Sequence, residues 1–208
     1  MVGSLQDTIL AAVRRRGRGR VFTAKDFLDL GTRAGVDQAL ARLARRADLS
    51  RLGRGLYHYP RVNPRLGLPV PPDADEVAAA LGRRTGSRVV PSGAVAANRL
   101  GLSTQVPARA VYLTDGRTRR IRVGDVEFDL RHAAPKELPP GRPTSALVFQ
   151  ALRHLGRGAV DDRVVRALRR SLTVEQRHAL RRDALHTTDW IGDVARRVAG
   201  GPGGVASG

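Results

Sequence analysis

Five prolines crowd the segment Pro60 to Asp73, at positions 60, 64, 69, 71 and 72. Each fixes φ and removes a backbone donor, so the stretch excludes helix and suits an extended connector. It divides the 208-residue chain into an N-terminal segment at 1–61, a connector at 62–72 and a larger C-terminal domain at 73–199. Residues 200–208 are dominated by glycine, carry nothing able to bury surface, and read as a disordered tail.

The N-terminal segment reads as three helical stretches and a hairpin. Ser4 caps a helix to Arg16 in which Leu5, Ile9, Ala12 and Val13 form an apolar stripe at helical period. After Gly17-Arg18-Gly19-Arg20, Thr23 and Asp26 have capping-box spacing at the start of a short second helix ending at Gly31. Thr32 opens a third helix to about Ala47, with Val36, Ala39, Leu40 and Leu43 on one side and Gln38, Ala41, Arg42 and Arg45 on the other. Leu49 to Tyr59 then alternates apolar and polar residues around Gly53-Arg54-Gly55, the pattern of two strands joined by a tight turn. Two helices separated by a glycine turn, followed by a hairpin with a basic tip, have the chain order of a winged helix-turn-helix. A three-helix bundle with a β appendage is the plainer alternative.

Beyond the connector, helices are expected at 73–84 and 92–100, the latter capped by Ser92, with a short strand at 88–90. Strands at 109–113, 119–123 and 126–130 follow, the last two joined by Gly124-Asp125. Helices at 144–155, 161–172, 173–185 and 188–199 close the chain, and Trp190 is expected to pack. The fold class is therefore α+β: an N-terminal winged helix-turn-helix, then a C-terminal α+β domain with a small antiparallel sheet and a helical C-terminal part.

Charge narrows the partners. The chain has 37 Lys+Arg against 19 Asp+Glu, a formal net charge of +18, and a polyanion is the natural counterpart. Only Lys25 and Lys136 are lysines; the rest are arginines, whose planar forks suit phosphate and guanine. GC-rich coding would also produce an Arg- and Ala-rich, Lys-poor chain, so position has to decide. Residues 1–61 hold 13 basic and 5 acidic residues, +8, whereas the remaining 147 residues carry only +10. The N-terminal excess gathers at Arg14 to Arg20, at Arg42, Arg45 and Arg46, and at Arg51 and Arg54.

These positions make double-stranded DNA the expected partner. Gln38 has the groups to read adenine, and Arg42 or Arg45 those to read guanine, from a helix in the major groove. Arg46 extends the same face, and Thr32 and Arg33 stand at the helix start, where phosphate or base contacts are expected. Arg51 and Arg54 at the wing tip suit phosphate. Arg18 and Arg20 in the Arg-Gly-Arg stretch form a weaker candidate minor-groove hook. A solvated helical face is the bland reading of the same arginines.

Catalytic signals are sparse, and no enzyme activity, cofactor or metal is expected. With no cysteine, a disulfide framework, Cys-ligated zinc, iron-sulfur clusters and thiol chemistry are excluded. His58, His132, His154, His178 and His186 never fall at metal-ligand spacing, and no phosphate-cradling GxxxxGK[ST] loop occurs. Glu127 and Asp129 share one face of a strand, as nuclease carboxylates do, but a solvated outer face explains them with less. No stretch reaches the roughly 18–20 apolar residues of a membrane span, and Met1 to Arg20 lacks the apolar centre of a secretory signal. A cytoplasmic protein is expected.

Six stretches resemble one family: Asp26-Phe27-Leu28-Asp29-Leu30-Gly31, Val36-Asp37-Gln38-Ala39-Leu40, Leu52-Gly53-Arg54-Gly55-Leu56-Tyr57, Asn63-Pro64, Pro91-Ser92-Gly93 and Gly101-Leu102-Ser103-Thr104-Gln105-Val106-Pro107. Together, over about residues 4–199, they are similar to the AbiEi-like antitoxins of type IV toxin-antitoxin systems. The resemblance implies an N-terminal winged helix that binds and represses its own promoter, and a C-terminal domain that counteracts a nucleotidyltransferase-fold toxin. Catalysis would then belong to the partner. A metal-dependent nucleic-acid-processing enzyme and a free-standing ligand-sensing transcription regulator are the competing readings.

Overall fold

The structure, a computed structural model, describes residues 3–105, 109–123, 126–138 and 141–200. The expected Gly124-Asp125 turn, the Val106-Pro107 end of the Gly101–Pro107 motif and the tail from Gly201 lie outside the described residues. The fold is mixed α+β. Contacts divide it into two units, Met1–Val89 with Ile121–Phe128, and Val90–Arg120 with Asp129–Gly208.

The first unit opens with α1 (Leu5–Arg16), started by a capping box in which Ser4 and Asp7 satisfy each other's backbone N–H groups. Ile9, Leu10, Ala12 and Val13 are its buried face. Strand β1 (Val21–Phe22) follows, and then, in place of the expected second helix, a 3₁₀ turn at Ala24–Phe27. The reason is spacing. Thr23 starts the turn, donating its amide and hydroxyl to the Asp26 carboxylate, and Thr32, only nine residues on, must be extended (φ −62°, ψ 152°) to cap the next helix. That leaves room for one turn of helix before the chain unwinds.

Helix α2 (Arg33–Arg45) buries Val36, Ala39, Leu40 and Leu43. Its C-terminal carbonyls are closed by the amides of Asp48 and Leu49 on the Leu43 oxygen (3.0 and 3.3 Å). This reversal needs Ala47 at φ +61°, the left-handed region that usually calls for glycine. Strands β2 (Ser50–Gly53) and β3 (Leu56–His58) form the wing, and β3 pairs on its other side with β1, giving the order β1-β3-β2. A register shift between Arg51 and Gly53 bends β2, and Gly55 (φ +66°) makes the turn. Ile9, Val13, Phe22, Phe27, Leu40, Leu43, Leu49 and Tyr57 fill one core beneath these elements. The element order and strand order are those of a winged helix-turn-helix.

Two expectations about the following chain are corrected. The proline segment is no extended connector. Strands β4 (Arg61–Val62) and β5 (Pro69–Val70) pair as a small hairpin, and Asn63 ties its loop, accepting the Arg65 amide through Oδ1 at 2.9 Å. Prolines forbid helix but tolerate turns and strands with a free edge. Nor does the N-terminal unit stop at residue 61: α3 (Ala74–Thr85), capped by Asp73, belongs to it. Arg83 donates to the Asp26 carboxylate at 2.8 Å and to the Val21 carbonyl at 2.7 Å, and Glu76 pairs with Arg20.

The second unit contains α4 (Gly93–Arg99), β7 (Ala110–Thr114) and four further helices, α5 (Pro143–Leu155), α6 (Asp162–Ser171), α7 (Val174–Asp183) and α8 (Asp189–Ala199). Strand β7 stands in a four-stranded sheet of order β6-β7-β9-β8, with β6 at Val89–Pro91, β8 at Arg119–Val123 and β9 at Val126–His132. These elements match the expected ones within about two residues, except that the third C-terminal helix ends at Asp183 and continues as a 3₁₀ turn at Ala184–His186. Ser92 holds the N-cap position of α4 without a side-chain cap bond. Phe149, Leu152, Leu168, Leu180, Ile191 and Val198 centre an all-helical core, with Trp190 half-buried against it. Gly93 lets α4 lie close on α5, since a Cβ there would fall 2.5 Å from the His154 Cβ and 2.9 Å from the Gln150 oxygen. Among the described residues no helix is long and apolar enough to cross a membrane.

Ala47 is an exposed L-residue held at positive φ. Relief of its strain, about 1–2 kcal/mol, outweighs the roughly 0.5–1 kcal/mol entropy cost of glycine. Ala47→Gly is therefore expected to raise stability by about 0.5–1 kcal/mol in urea unfolding.

His58 is buried in β3, and its Nε2 has no hydrogen-bond partner among the described residues. Burial, aided by the Arg61 charge and opposed by Glu76, pushes its pKa below the ordinary 6.5. The unfolded chain takes up this proton first, so stability is complete above 6.5 and is lost as pH falls through the lowered folded value. Urea midpoints measured between about pH 7 and pH 5 should fall, and His58→Gln should flatten that fall.

Candidate nucleic-acid interface

Helix α2 shows solvent a face made of Ala34, Gln38, Arg42 and Arg45, all exposed. The placement follows from period. Val36, Ala39, Leu40 and Leu43 are 0–5% exposed and anchor the opposite side, so side chains three to four residues apart on the outer side must line up. Among the described residues the same face is left open, and no ion pair engages Arg42 or Arg45. Arg51 and Arg54 are likewise exposed on the wing and without an ion pair there. Five of the expected site residues, Gln38, Arg42, Arg45, Arg51 and Arg54, thus present uncommitted hydrogen-bonding groups from one helix and its adjoining hairpin.

The other five have partners inside the unit. Thr32 is the N-cap of α2, accepting the Gly35 amide through its hydroxyl at 3.3 Å. Arg33 bridges Asp37 one turn on at 2.9 Å, and Arg46 bridges Asp48 at 3.1 Å. Arg20 is held by Glu76 of α3. Arg18 lies over the Tyr59 ring with its guanidinium carbon 4.6 Å from the centroid, and donates to the Pro60 carbonyl at 2.9 Å. In the Arg14–Arg20 cluster, Arg16 is similarly spent, stacked 5.1 Å over Phe27 and donating to the Asp26 carbonyl. These are planar stacking and fork contacts that suit guanidinium better than ammonium.

Two basic residues of the same unit escape a linear reading. Arg84, near the end of α3, and Arg122, in β8, line a cleft of about 380 Å³ together with Arg33, Arg54 and Leu56. Arg84 donates Nη1 to the Arg54 carbonyl at 2.6 Å, which ties α3 to the wing turn. The only sequence signal was their charge, and neither lies in the helices and hairpin that carry the pattern.

The carboxylate pair considered for catalysis is not assembled for it. Glu127 is exposed, while Asp129 is 4% exposed and its carboxylate is taken by Arg131 at 2.8 Å. The expected solvated outer face therefore holds for Glu127 only. Among the described residues, no group of three or more His, Asp or Glu side chains is placed to hold a metal ion.

A family model described as "Family of unknown function (DUF6088)" matches residues 8–180. No curated protein matches the sequence. Among solved structures, the chain is similar to a crystal structure of the RV2827C protein from Mycobacterium tuberculosis, at 18% identity and a TM-score of 0.41, over 97% of this chain and 79% of that one.

Proposed function

The chain belongs to the DUF6088 family, a family of unknown function, and we propose that it is a sequence-specific double-stranded-DNA-binding protein. Helix α2 enters the major groove, with Gln38, Arg42 and Arg45 toward base edges, and the wing lays Arg51 and Arg54 on the flanking backbone. The observation that carries this reading is the open outer face of α2. A helix buried on one side by four apolar residues carries on the other an amide and two arginines that, among the described residues, no carboxylate pairs. Arg16, Arg18, Arg20 and Arg83 of the same unit have internal partners.

The physiological setting we propose comes from the resemblance to AbiEi-like antitoxins. The protein represses its own operon from the cytoplasm, and its second unit counteracts a nucleotidyltransferase-fold toxin encoded beside it. The protein itself is not the enzyme in this scheme. Labour is divided between the two units in this scheme, and the two activities are separable by mutation.

Competition binding to the protein's own promoter and to scrambled duplexes, over a salt series, tests the reading. Arg54→Ala should weaken binding to every duplex and reduce the slope of log K against log salt by about 0.9, the value for one phosphate contact. Gln38→Ala should instead erase about 1–3 kcal/mol of preference at one base position. Equal affinity of wild type for promoter and scrambled DNA overturns sequence-specific recognition. In cells carrying the neighbouring toxin gene, an Arg42→Ala/Arg54→Ala double variant should lose promoter repression yet still restore growth.

A further inference from the structure

The residues that start α2 mostly have work inside the unit. The Thr32 hydroxyl caps the helix on the Gly35 amide, and Arg33 turns along it to Asp37 at 2.9 Å. Gly35 faces inward, where an added Cβ would fall 3.1 Å from Cδ2 of Leu5 in α1. What the first turn shows solvent on the side of Gln38 is therefore Ala34, an exposed methyl group. It stands one turn before Gln38 and two before Arg42 on the same face.

A methyl neither donates nor accepts a hydrogen bond. In the major groove the one apolar group on the base edges is the C5-methyl of thymine, which cytosine lacks. In helix-turn-helix proteins the N-terminal residues of the recognition helix are the ones that reach base edges. Ala34 thus occupies the position of closest approach and carries the group that fits thymine, and its short side chain lets the helix end sit deep. Charge complementarity fixes the occupant as a duplex: Arg42, Arg45, Arg51 and Arg54 are exposed on α2 and the wing with no ion pair among the described residues.

We infer that α2 reads an ordered word, with thymine against Ala34, adenine against Gln38 and guanine against Arg42 or Arg45, and that Ala34 is the residue distinguishing thymine from cytosine. The inference rests on the DNA-binding reading above and names the class of sequence that reading requires. Helix geometry gives the spacing. At about 1.5 Å per residue, Ala34 lies about 6 Å from Gln38 and about 16 Å from Arg45 along the axis. With about 3.4 Å per base pair, thymine and adenine are about two base pairs apart and the word spans about five. Arg51 and Arg54 add backbone contacts without adding letters.

The test uses the full chain. A randomised duplex pool is selected on wild type, and each thymine of the enriched sequence is then replaced in turn by deoxyuridine, which removes the C5-methyl alone. Wild type, Ala34→Gly, Ala34→Ser and Gln38→Ala are titrated with each duplex. Glycine weakens the helix equally for both duplexes, so the ratio of thymine to uracil affinity isolates the methyl contact. At one thymine, wild type is expected to bind about three- to fivefold more tightly than to the uracil duplex, the worth of one buried methyl. Ala34→Gly brings that ratio to near one, and Ala34→Ser, which retains a Cβ but makes the contact polar, lowers it. Gln38→Ala loses its preference at an adenine about two base pairs from that thymine. If wild type enriches a sequence in which no thymine shows a methyl dependence that Ala34→Gly removes, or if the adenine read by Gln38 lies more than about four base pairs away, the inference is overturned and the DNA reading stands. If the pool yields no enriched sequence, sequence-specific recognition falls and the inference falls with it.

Discussion

Asp26 joins three pieces of the first unit through its carboxylate and its backbone carbonyl. Its Oδ2 accepts the Thr23 amide at 2.7 Å and the Thr23 hydroxyl at 3.1 Å, its Oδ1 accepts Arg83 of α3 at 2.8 Å, and its own carbonyl takes Arg16 of α1 at 3.1 Å. The group is largely buried, and a half-paired carboxylate in that position is costly. Everything that presents α2 to solvent depends on it. The 3₁₀ turn it closes lies between α1 and α2 in the chain, and α3, which it holds, is the element that backs β1 and reaches the wing through Arg84.

This arrangement sorts arginines that composition lumps together. Some are internal fasteners: Arg16 on the Phe27 face, Arg18 on the Tyr59 face, Arg20 on Glu76, Arg83 on Asp26. A flat, delocalised cation that stacks and forks at once does this work, and lysine would not. Others, at 42, 45, 51 and 54, carry charge outward with no ion pair among the described residues. The net charge of +18 is thus not a measure of the surface offered to a polyanion. Its division between clamp and contact is.

Local chemistry was legible in the sequence where it was decided locally. Ser4 and Thr32 start their helices with side-chain cap bonds, whereas Ser92 holds its expected cap position without one; the apolar stripe of α2 is buried as its period requires. What was not legible depends on competition between neighbouring signals or on partners distant in the chain. The second helix shrank to a turn because two caps compete for nine residues, and the proline segment paired with itself as a hairpin. Helix α3 joined the N-terminal unit through Arg83 and Glu76, whose partners lie more than fifty residues away. Asp129 is buried with its carboxylate paired to Arg131, whose own side chain stays at the surface. The candidate site shows the same divide: Gln38, Arg42 and Arg45 follow from helical period, whereas Arg84 and Arg122 reach the wing cleft only through tertiary folding.

Strand β3 owes its position to β1 on one side, and the bulged β2 merely leans on its other edge. The hairpin tip is nevertheless tied to α3, and the tie runs through the backbone oxygen of Arg54 rather than through its side chain. Any residue at position 54 can offer that oxygen, so the exposed side chain there can be exchanged while the hairpin stays fastened.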